Sequence, residues 1–275
     1  MLKKQSYFKS IPIILLIALL AGCGKDDNPT RHAENLLNGP NDIVFDEVNN
    51  RYLASNWAGN NIAAIDLDGS QQIFKNNVPR VHGMEIRDSV LYAASNYNLL
   101  LINLSTAETI ANISVMSSRT LSHIALDSSH FVYLVDWTAL KLFRVDVNNK
   151  TSEVLYSFEA IPGGVCYEKN NNRLIILSFE DNAPILGYSL STGDLYTVKN
   201  TNIDEPVAIC RDADNNYYIT SFSNNSVYKF ANDFSTGPEI ISSGHNSPSG
   251  LGYNRRDHTL GVTNYDSNRI DFIVL

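Results

Sequence analysis

Three acidic side chains, far apart in this sequence, have the chemistry to hold a divalent cation. They are Asp42, Asp136 and Glu205. Calcium takes about six to eight oxygen ligands, so these carboxylates, together with nearby amide and hydroxyl oxygens, would suit calcium or another divalent ion. Asn, Asp and Ser at strand ends also bond the local backbone and cap turns. Capping of a turn is therefore the alternative to metal binding, and it applies directly to Asp136, which stands at the end of a predicted strand.

Three histidines could perform acid–base chemistry or bind a transition metal, because imidazole titrates near neutral pH. We predict His82 and His123 as catalytic candidates and His245 as part of a ligand-binding surface. The alternative is that all three are exposed or hydrogen-bonded bystanders. The sequence contains no Gly-rich phosphate loop and no Cys-x-x-Cys, His-Glu-x-x-His or Gly-x-Ser-x-Gly motif.

A short polar residue followed by an aromatic residue recurs six times, at spacings of 40, 40, 42, 43 and 43 residues. A fixed period in the forties is typical of a propeller, whose blades are four-stranded sheets around a channel. The six copies therefore predict six blades. The pairs are Asn56-Trp57, Asn96-Tyr97, Asp136-Trp137, Ser178-Phe179, Ser221-Phe222 and Asn264-Tyr265.

Each copy starts with a Pro- or Gly-containing turn and continues through strands separated by Asn- and Asp-rich turns, without a helical period. We therefore predict an all-β fold, a six-bladed β-propeller of four-stranded antiparallel blades. The last copy ends after its third strand, so we expect the segment 31–37 to supply the missing strand and close the ring. The predicted blades cover residues 39–77, 78–117, 118–159, 160–202, 203–245, and 246–275 with 31–38.

The turn that opens a blade and the turn after its second strand lie at the same rim of a propeller channel. We predict a ligand-binding rim from these two sets of turns. The alternative is that the aromatic side chains pack between blades. The rim residues are Asp42, Asn56, Trp57, Asn96, Tyr97, Asp136, Trp137, Glu205, His245 and Tyr265.

The first 22 residues have the pattern of a signal peptide. Lysines precede an apolar run of ten residues, which is about half the length that spans a bilayer. The run ends in Leu20-Ala21-Gly22-Cys23, which resembles the bacterial lipobox, and the resemblance implies acylation of Cys23. Residues 23–30 would form a tether similar to the export signal of Bacteroidota lipoproteins. We expect a lipid anchor in the cell envelope, at the outer membrane and exposed at the surface.

The chain is acidic, which bears on its partners. Without residues 1–22, which hold three lysines, the net charge falls from −8 to −11. This charge and the lack of a basic cluster exclude nucleic acid as a partner. Cys166 and Cys210 align one residue out of register in neighbouring inner strands, so we predict two free thiols.

The order of residue types within each repeat is similar to that of NHL-type six-bladed propellers. Pro248-Ser-Gly-Leu251 followed by Val262-Thr-Asn-Tyr-Asp-Ser-Asn-Arg-Ile270 carries the resemblance best. Related gluconolactonase-like propellers hydrolyse lactones with a channel metal ion, held by a Glu in an opening Glu-Gly-Pro and an Asn in a later Pro-Asn-Gly. In this sequence the corresponding positions are Asn38-Gly39-Pro40 and Pro162-Gly163-Gly164, so neither the Glu nor the Asn of the family's metal site is present at them.

Two functions are compatible with these features. The first is a membrane-anchored binding module that holds a protein, peptide or glycan at its channel face. The alternative is a metal-dependent, lactonase-like hydrolase or lyase with a remodelled site around Asp42, His82, His123, Asp136 and Glu205. A purely structural envelope protein would have neither a pocket nor an exposed aromatic rim.

Overall fold

A computed structural model describes residues 31–33 and 36–275 of the chain. Its 24 strands form six four-stranded antiparallel sheets, which confirms the predicted six-bladed, all-β propeller. No helix in these residues is long and apolar enough to cross a membrane. The predicted signal peptide, Cys23 and the tether lie outside the described residues.

Blades 1 to 3 each use four consecutive strands, with the first strand innermost. Blade 1 contains β2 (Pro40–Asp46), β3 (Arg51–Asn56), β4 (Asn61–Asp66) and β5 (Gln71–Lys75). Blade 2 contains β6 (Val81–Arg87), β7 (Val90–Ser95), β8 (Asn98–Asn103) and β9 (Thr109–Ser114). Blade 3 contains β10 (Leu121–Leu126), β11 (Phe131–Asp136), β12 (Lys141–Asp146) and β13 (Thr151–Ser157).

Blades 4 and 5 repeat this order, and blade 6 completes it with a strand from the other end of the chain. Blade 4 contains β14 (Pro162–Glu168), β15 (Arg173–Ser178), β16 (Ile185–Ser189) and β17 (Leu195–Lys199). Blade 5 contains β18 (Pro206–Arg211), β19 (Tyr217–Ser221), β20 (Ser226–Phe230) and β21 (Glu239–Ser243). Blade 6 contains β22 (Pro248–Asn254), β23 (Thr259–Asn264), β24 (Arg269–Val274) and β1 (Arg31–Ala33).

The ring is closed by pairing of the two ends of the described chain. Strand β1 runs antiparallel to β24, with Arg31 opposite Phe272 and Ala33 opposite Ile270. The closure predicted from the incomplete last repeat is therefore confirmed, over a shorter strand than the predicted segment 31–37. Blade 6 thereby gains its fourth strand, and β24 is not left as an open edge.

The inner strands approach one another backbone to backbone around the channel. A Cβ atom on Gly250 would lie 2.5 Å from the Asp42 Cα atom, and one on Gly83 would lie 2.5 Å from the Ser122 carbonyl oxygen. Both contacts are sterically forbidden, so glycine is required for adjacent blades to meet here. This explains the Gly that recurs after the opening turns.

Large apolar side chains of the inner and central strands fill the wedges between blades. Between blades 6 and 1, for example, the Tyr52 ring lies 4.9 Å from the rings of both Phe45 and Phe272. Such edge and tilted contacts between buried rings add to the burial of apolar surface. Inter-blade packing is thus provided by strand residues, and the aromatics that follow the second strands are free for another role.

The two cysteines are free thiols, as predicted, but they are not out of register. Cys166 pairs with Ile175 and Cys210 with Tyr218, and each of these partners lies three residues before the end of its strand. Each thiol packs into a different inter-blade cluster. Burial raises the pKa of Cys166 to about 12, so this thiol stays protonated and unreactive at neutral pH.

The ring closure predicts that a chain starting at residue 36 is less stable than one starting at residue 31. Loss of β1 removes ladder hydrogen bonds worth about 1 kcal/mol each and exposes the β24 edge. Urea unfolding of the two truncated chains measures the difference. Equal midpoints would show that β1 does not contribute to closure.

Candidate functional site

One mouth of the channel is a concave cavity of about 490 Å³ whose walls are mainly aromatic. Five of the six repeated aromatics line it, one from each blade except blade 2. The Trp137 and Phe179 ring centroids lie 4.6 Å apart, and those of Trp57 and Tyr265 lie 6.3 Å apart. We call this cavity the aromatic bowl. Its five aromatic wall residues are Trp57, Trp137, Phe179, Phe222 and Tyr265.

The same backbone hydrogen bond positions the aromatic residue in each of these five blades. The residue follows the second strand directly, and its N–H donates to a carbonyl of the turn that opens the blade. The five bonds, of 2.8–3.1 Å, run from Trp57 to Gly39, Trp137 to Thr120, Phe179 to Ile161, Phe222 to Glu205 and Tyr265 to Ser247. The walls of the bowl are therefore held by the blades themselves.

Blade 2 departs from this pattern. Its strand pairing shows that the alignment of the six polar–aromatic pairs is shifted by one residue in this blade. Its second strand ends at Ser95, and only two residues lead to the next strand, whereas blades 1, 3, 5 and 6 have four and blade 4 has six. Ser95, and not Asn96, is the counterpart of Asn56, because Ser95 pairs with Val81 as Asn56 pairs with Pro40. Tyr97 therefore lies outside the bowl and is 53% exposed. The wall of the bowl lacks an aromatic residue at blade 2.

The polar members of the pairs mostly hold the turns together, as the capping alternative stated. The Asp136 carboxylate accepts hydrogen bonds from the N–H groups of Arg119, Thr120, Thr138 and Ala139, at 2.6–3.0 Å. The Asn56 side chain accepts from the Asn38 N–H and donates to the Leu36 carbonyl. These groups are fully buried, and backbone groups occupy their bonding capacity.

The structure does not assemble the predicted metal ligands. Both oxygens of Asp42 accept backbone N–H groups, from Ile43 at 2.9 Å and from Met84 at 2.7 Å. Burial raises the pKa of Asp42 well above its usual value. Glu205 has a left-handed backbone (φ 46°) and is not part of the bowl wall. In residues 36–275, no three His, Cys, Asp or Glu side chains are grouped so that they could hold a metal ion.

His82 lies in the bowl and fixes the orientation of Trp57. The indole N–H donates to Nε2 of His82 at 2.9 Å, so Nδ1 carries the proton and faces Oδ1 of Asn41 at 3.2 Å. Burial, reinforced by His123 and the positive charge of Arg80, lowers the pKa of His82 to about 3. The lone pair that a general base needs is thus already occupied. The geometry makes His82 a positioning residue.

His123 lies in the channel and is 8% exposed. It is not part of the bowl wall. Neither ring nitrogen has a hydrogen-bond partner of good geometry. Burial lowers its pKa to about 4, and the nearby Ser249 main chain opposes this shift. His82 and His123 are therefore both neutral at physiological pH.

His245 is away from the bowl, between blades 5 and 6. Its Nδ1 lies 2.7 Å from Oδ2 of Asp271 and its Nε2 lies 2.9 Å from Oγ of Ser242. A carboxylate, an imidazole and a serine hydroxyl joined in this order are the groups of a nucleophilic triad. However, Asp271 also accepts from Arg269 and Asn264, and the His245 side chain is only 2% exposed. The contacts serve to join the two blades.

Sequence reasoning missed five residues of the bowl, namely Asn41, Arg80, Thr120, Val207 and Ser249. All except Thr120 directly follow a proline of an opening turn, so alignment on these prolines would have found those four. The inner strands contain a one-residue register shift at this end. Such bulges re-aim side chains, and their effect is not visible in the repeat pattern.

The opposite mouth contains a second cavity, of about 620 Å³, with a different character. Its charged lining residues are of both signs, and two of them, Arg255 and Glu47, form a 3.2 Å ion pair. No convergent set of side chains comparable to the five aromatics is present in its lining. The bowl is therefore the stronger candidate site.

Comparison with known proteins identifies the fold. No protein-family profile matches the chain, and no curated protein is similar to it in sequence. Among solved structures it is similar to a gluconolactonase of Xanthomonas campestris (11% identity, 88% of each chain covered, TM-score 0.75). It is also similar to a structural-genomics target assigned to the gluconolactonases (13% identity, 90% and 92% covered, TM-score 0.74). A chain of a nidogen–laminin complex matches less well (12%, 79% and 91%, TM-score 0.63).

These identities are low, so the likeness shows the fold alone. The structural neighbours are gluconolactonase-like six-bladed propellers, and the expected resemblance is confirmed at that level. The activity of those proteins does not follow from it.

The neutral state of His123 predicts how stability depends on pH. The folded-state pKa of about 4 lies below the ordinary 6.5, so the unfolded chain binds the proton more readily and stability falls as pH drops below 6.5. For His123 alone, the loss between pH 7 and pH 5 is about 2 kcal/mol. His123→Phe should reduce the loss of unfolding free energy between pH 7 and pH 5 by this amount. Urea unfolding at both pH values measures the difference.

The half-buried His130 provides the matched control, since it lies beside Asp146 of blade 3 and not in the channel. His130→Phe should keep the wild-type difference between the two pH values. Because the His123 nitrogens have no partners, we also expect His123→Phe to remain folded at pH 7. An unchanged pH dependence in His123→Phe would contradict the assignment.

Proposed function

We propose that this protein is a binding module whose aromatic bowl holds a compact ligand with a flat apolar ring. The observation that carries the proposal is the convergence of Trp57, Trp137, Phe179, Phe222 and Tyr265, from five blades, on one cavity of about 490 Å³. Ligand pockets typically measure about 300–1,000 Å³ and combine apolar walls with a few polar groups. The polar groups here are Asn41, His82, Thr120 and Ser249, with Arg80 at the wall.

Preorganisation supports this function. The backbone N–H of each aromatic wall residue is hydrogen-bonded to its own blade, and the Trp57 ring is additionally held by His82. A ligand therefore does not have to order the walls when it binds, which removes a cost that normally reduces affinity. Each ring contact can contribute about 0.5–1.5 kcal/mol beyond the apolar area that it buries.

Membrane anchoring remains part of the proposal. Acylation of Cys23, with residues 23–30 as a tether, would hold the domain at the outer membrane of the cell envelope. The point of attachment is compatible with binding, because β1 begins at Arg31 and is the outermost strand of blade 6. The first described residue, Arg31, therefore lies at the perimeter of the domain and not in the channel.

A metal-dependent, lactonase-like hydrolase is the second candidate, favoured by the similarity in fold. It requires a metal site, whereas Asp42 and Asp136 already bond backbone N–H groups. Elemental analysis of the purified protein separates the candidates. A stoichiometric divalent ion such as calcium would favour the hydrolase, and its absence after mild purification would favour the binding module.

The binding proposal can be tested with intrinsic fluorescence, because the chain has two tryptophans and both line the bowl. A neutral ring probe, 2-naphthamide, should change the tryptophan emission saturably, with a dissociation constant of about 1 mM or tighter. Phe179→Ala and Phe222→Ala keep both tryptophans and remove part of the wall. Each should weaken binding by roughly tenfold.

Tyr97→Ala is the matched control, because Tyr97 belongs to the same repeat signature but lies outside the bowl. It should bind 2-naphthamide like the wild type. Titration calorimetry checks the fluorescence result independently. The proposal fails if no saturable binding occurs, or if the two phenylalanine variants bind as tightly as Tyr97→Ala.

A further inference from the structure

We infer that the bowl selects a ring ligand that bears an anionic group, and that Arg80 is the residue that recognises this group. The inference rests on the proposed function and specifies the chemical class of its ligand. Arg80 is the one charged side chain of the bowl lining, since its other members are apolar, uncharged or, in the case of His82, held neutral.

Arg80 differs from most arginines of the protein in having no acidic partner. Six other arginines lie within 4.0 Å of a carboxylate, whereas no carboxylate among the described residues lies that close to Arg80. The six pairs are Arg51–Asp46, Arg87–Asp127, Arg144–Glu153, Arg173–Glu168, Arg255–Glu47 and Arg269–Asp271. The charge of Arg80 is therefore available to a ligand.

The guanidinium group is already positioned at the aromatic wall. Its Cζ atom lies 5.2 Å from the centroid of the Trp57 ring, in a cation–π contact. The Trp57 ring is fixed in turn by its hydrogen bond to His82. Arginine stacked in this way keeps its N–H groups free at the edge of the plane, where a carboxylate can accept two of them in parallel.

The backbone at Arg80 is held in an unfavourable conformation. Its φ of 48° lies in the left-handed region, and its N–H donates to Oδ1 of Asn60 at 3.2 Å. Glu205 and Ser247, which directly precede the inner strands of blades 5 and 6, have the same conformation (φ 46° and 54°), so it is a feature of the opening turn. In this chain the effect is to hold the arginine at the edge of the bowl.

The short turn of blade 2 provides the space for the anionic group. Arg80 precedes the inner strand of blade 2, and the neighbouring wall position lacks an aromatic residue because the turn after Ser95 contains only two residues. A ligand ring can therefore pack on Phe179 and Phe222 while its charged group extends toward blade 2. Arg80 is exposed, so this ion pair would form at the solvent-facing edge of the bowl and would be sensitive to salt.

The overall charge of the protein adds selectivity. The chain has a formal net charge of −8, so its general field repels anions. An anionic ligand is then favoured only where an unpaired cation faces an apolar cavity. The surface of the protein discriminates against the same ligand elsewhere.

A matched pair of probes tests the inference. 2-Naphthoate and 2-naphthamide have the same ring and similar size, but only the former is charged. We expect the wild type to bind 2-naphthoate about tenfold more tightly, with a preference that declines as salt rises from about 20 to 300 mM. Arg80→Met keeps an apolar stem without the charge, so it should lose the preference between the two probes, measured as the ratio of their dissociation constants.

Arg119→Met is the control for a change in net charge, since Arg119 is exposed and lines a different surface cavity. It should keep the wild-type preference. Equal binding of the two probes by the wild type overturns the inference, as does a preference that survives in Arg80→Met. In both cases binding of 2-naphthamide leaves the proposed function intact. If neither probe binds, the proposed function and the inference both fail.

Discussion

The close approach of inner strands around the channel is the constraint on which the rest of the structure depends. Gly83 and Gly250 allow backbone atoms of adjacent blades to meet where any Cβ would collide. Within the channel, Asp42 and His123 are buried. The aromatic bowl and the second cavity lie at opposite ends of the ring, and both are lined in part by the inner strands or the turns that open them.

The difference between the two ends follows from what the repeat places there. At one end, the second strands of five blades are followed by an aromatic residue, and a backbone hydrogen bond repeated in these five blades positions the residue at the channel mouth. At the other end, the lining contains charged residues of both signs, of which Arg255 and Glu47 form an ion pair. Arg80, the one charged side chain in the lining of the bowl, has an influence there that it would not have on a mixed surface.

The sequence predicts the number of blades and the closing strand well, because period and strand alternation are properties of the whole repeat. It predicts the site less well, because the site depends on differences of one residue. Tyr97 carries the repeat signature, yet a turn shorter by two residues places it outside the bowl. Asp136 and Asn56 suggest metal or ligand chemistry by residue type, whereas their oxygens cap local turns. Whether a carboxylate is free or already bonded to the backbone cannot be read from residue type.

His82 shows the same limit for catalytic residues. Its type and position suggest a base, but its lone pair faces the Trp57 indole. Only the three-dimensional arrangement distinguishes a group that reacts from one that orients its neighbour.

The pairing of β1 with β24 also has a consequence for the order in which the chain becomes structured. Arg31 pairs with Phe272, so β1, the first strand of the described residues, cannot pair until β24, the last of them, has been synthesised. Blades 1 to 5 can each form from consecutive segments as they emerge, but blade 6 cannot. Blade 6 therefore reaches its final state only after β24 has been synthesised, and any machinery that handles the nascent protein meets an unpaired β1 until then.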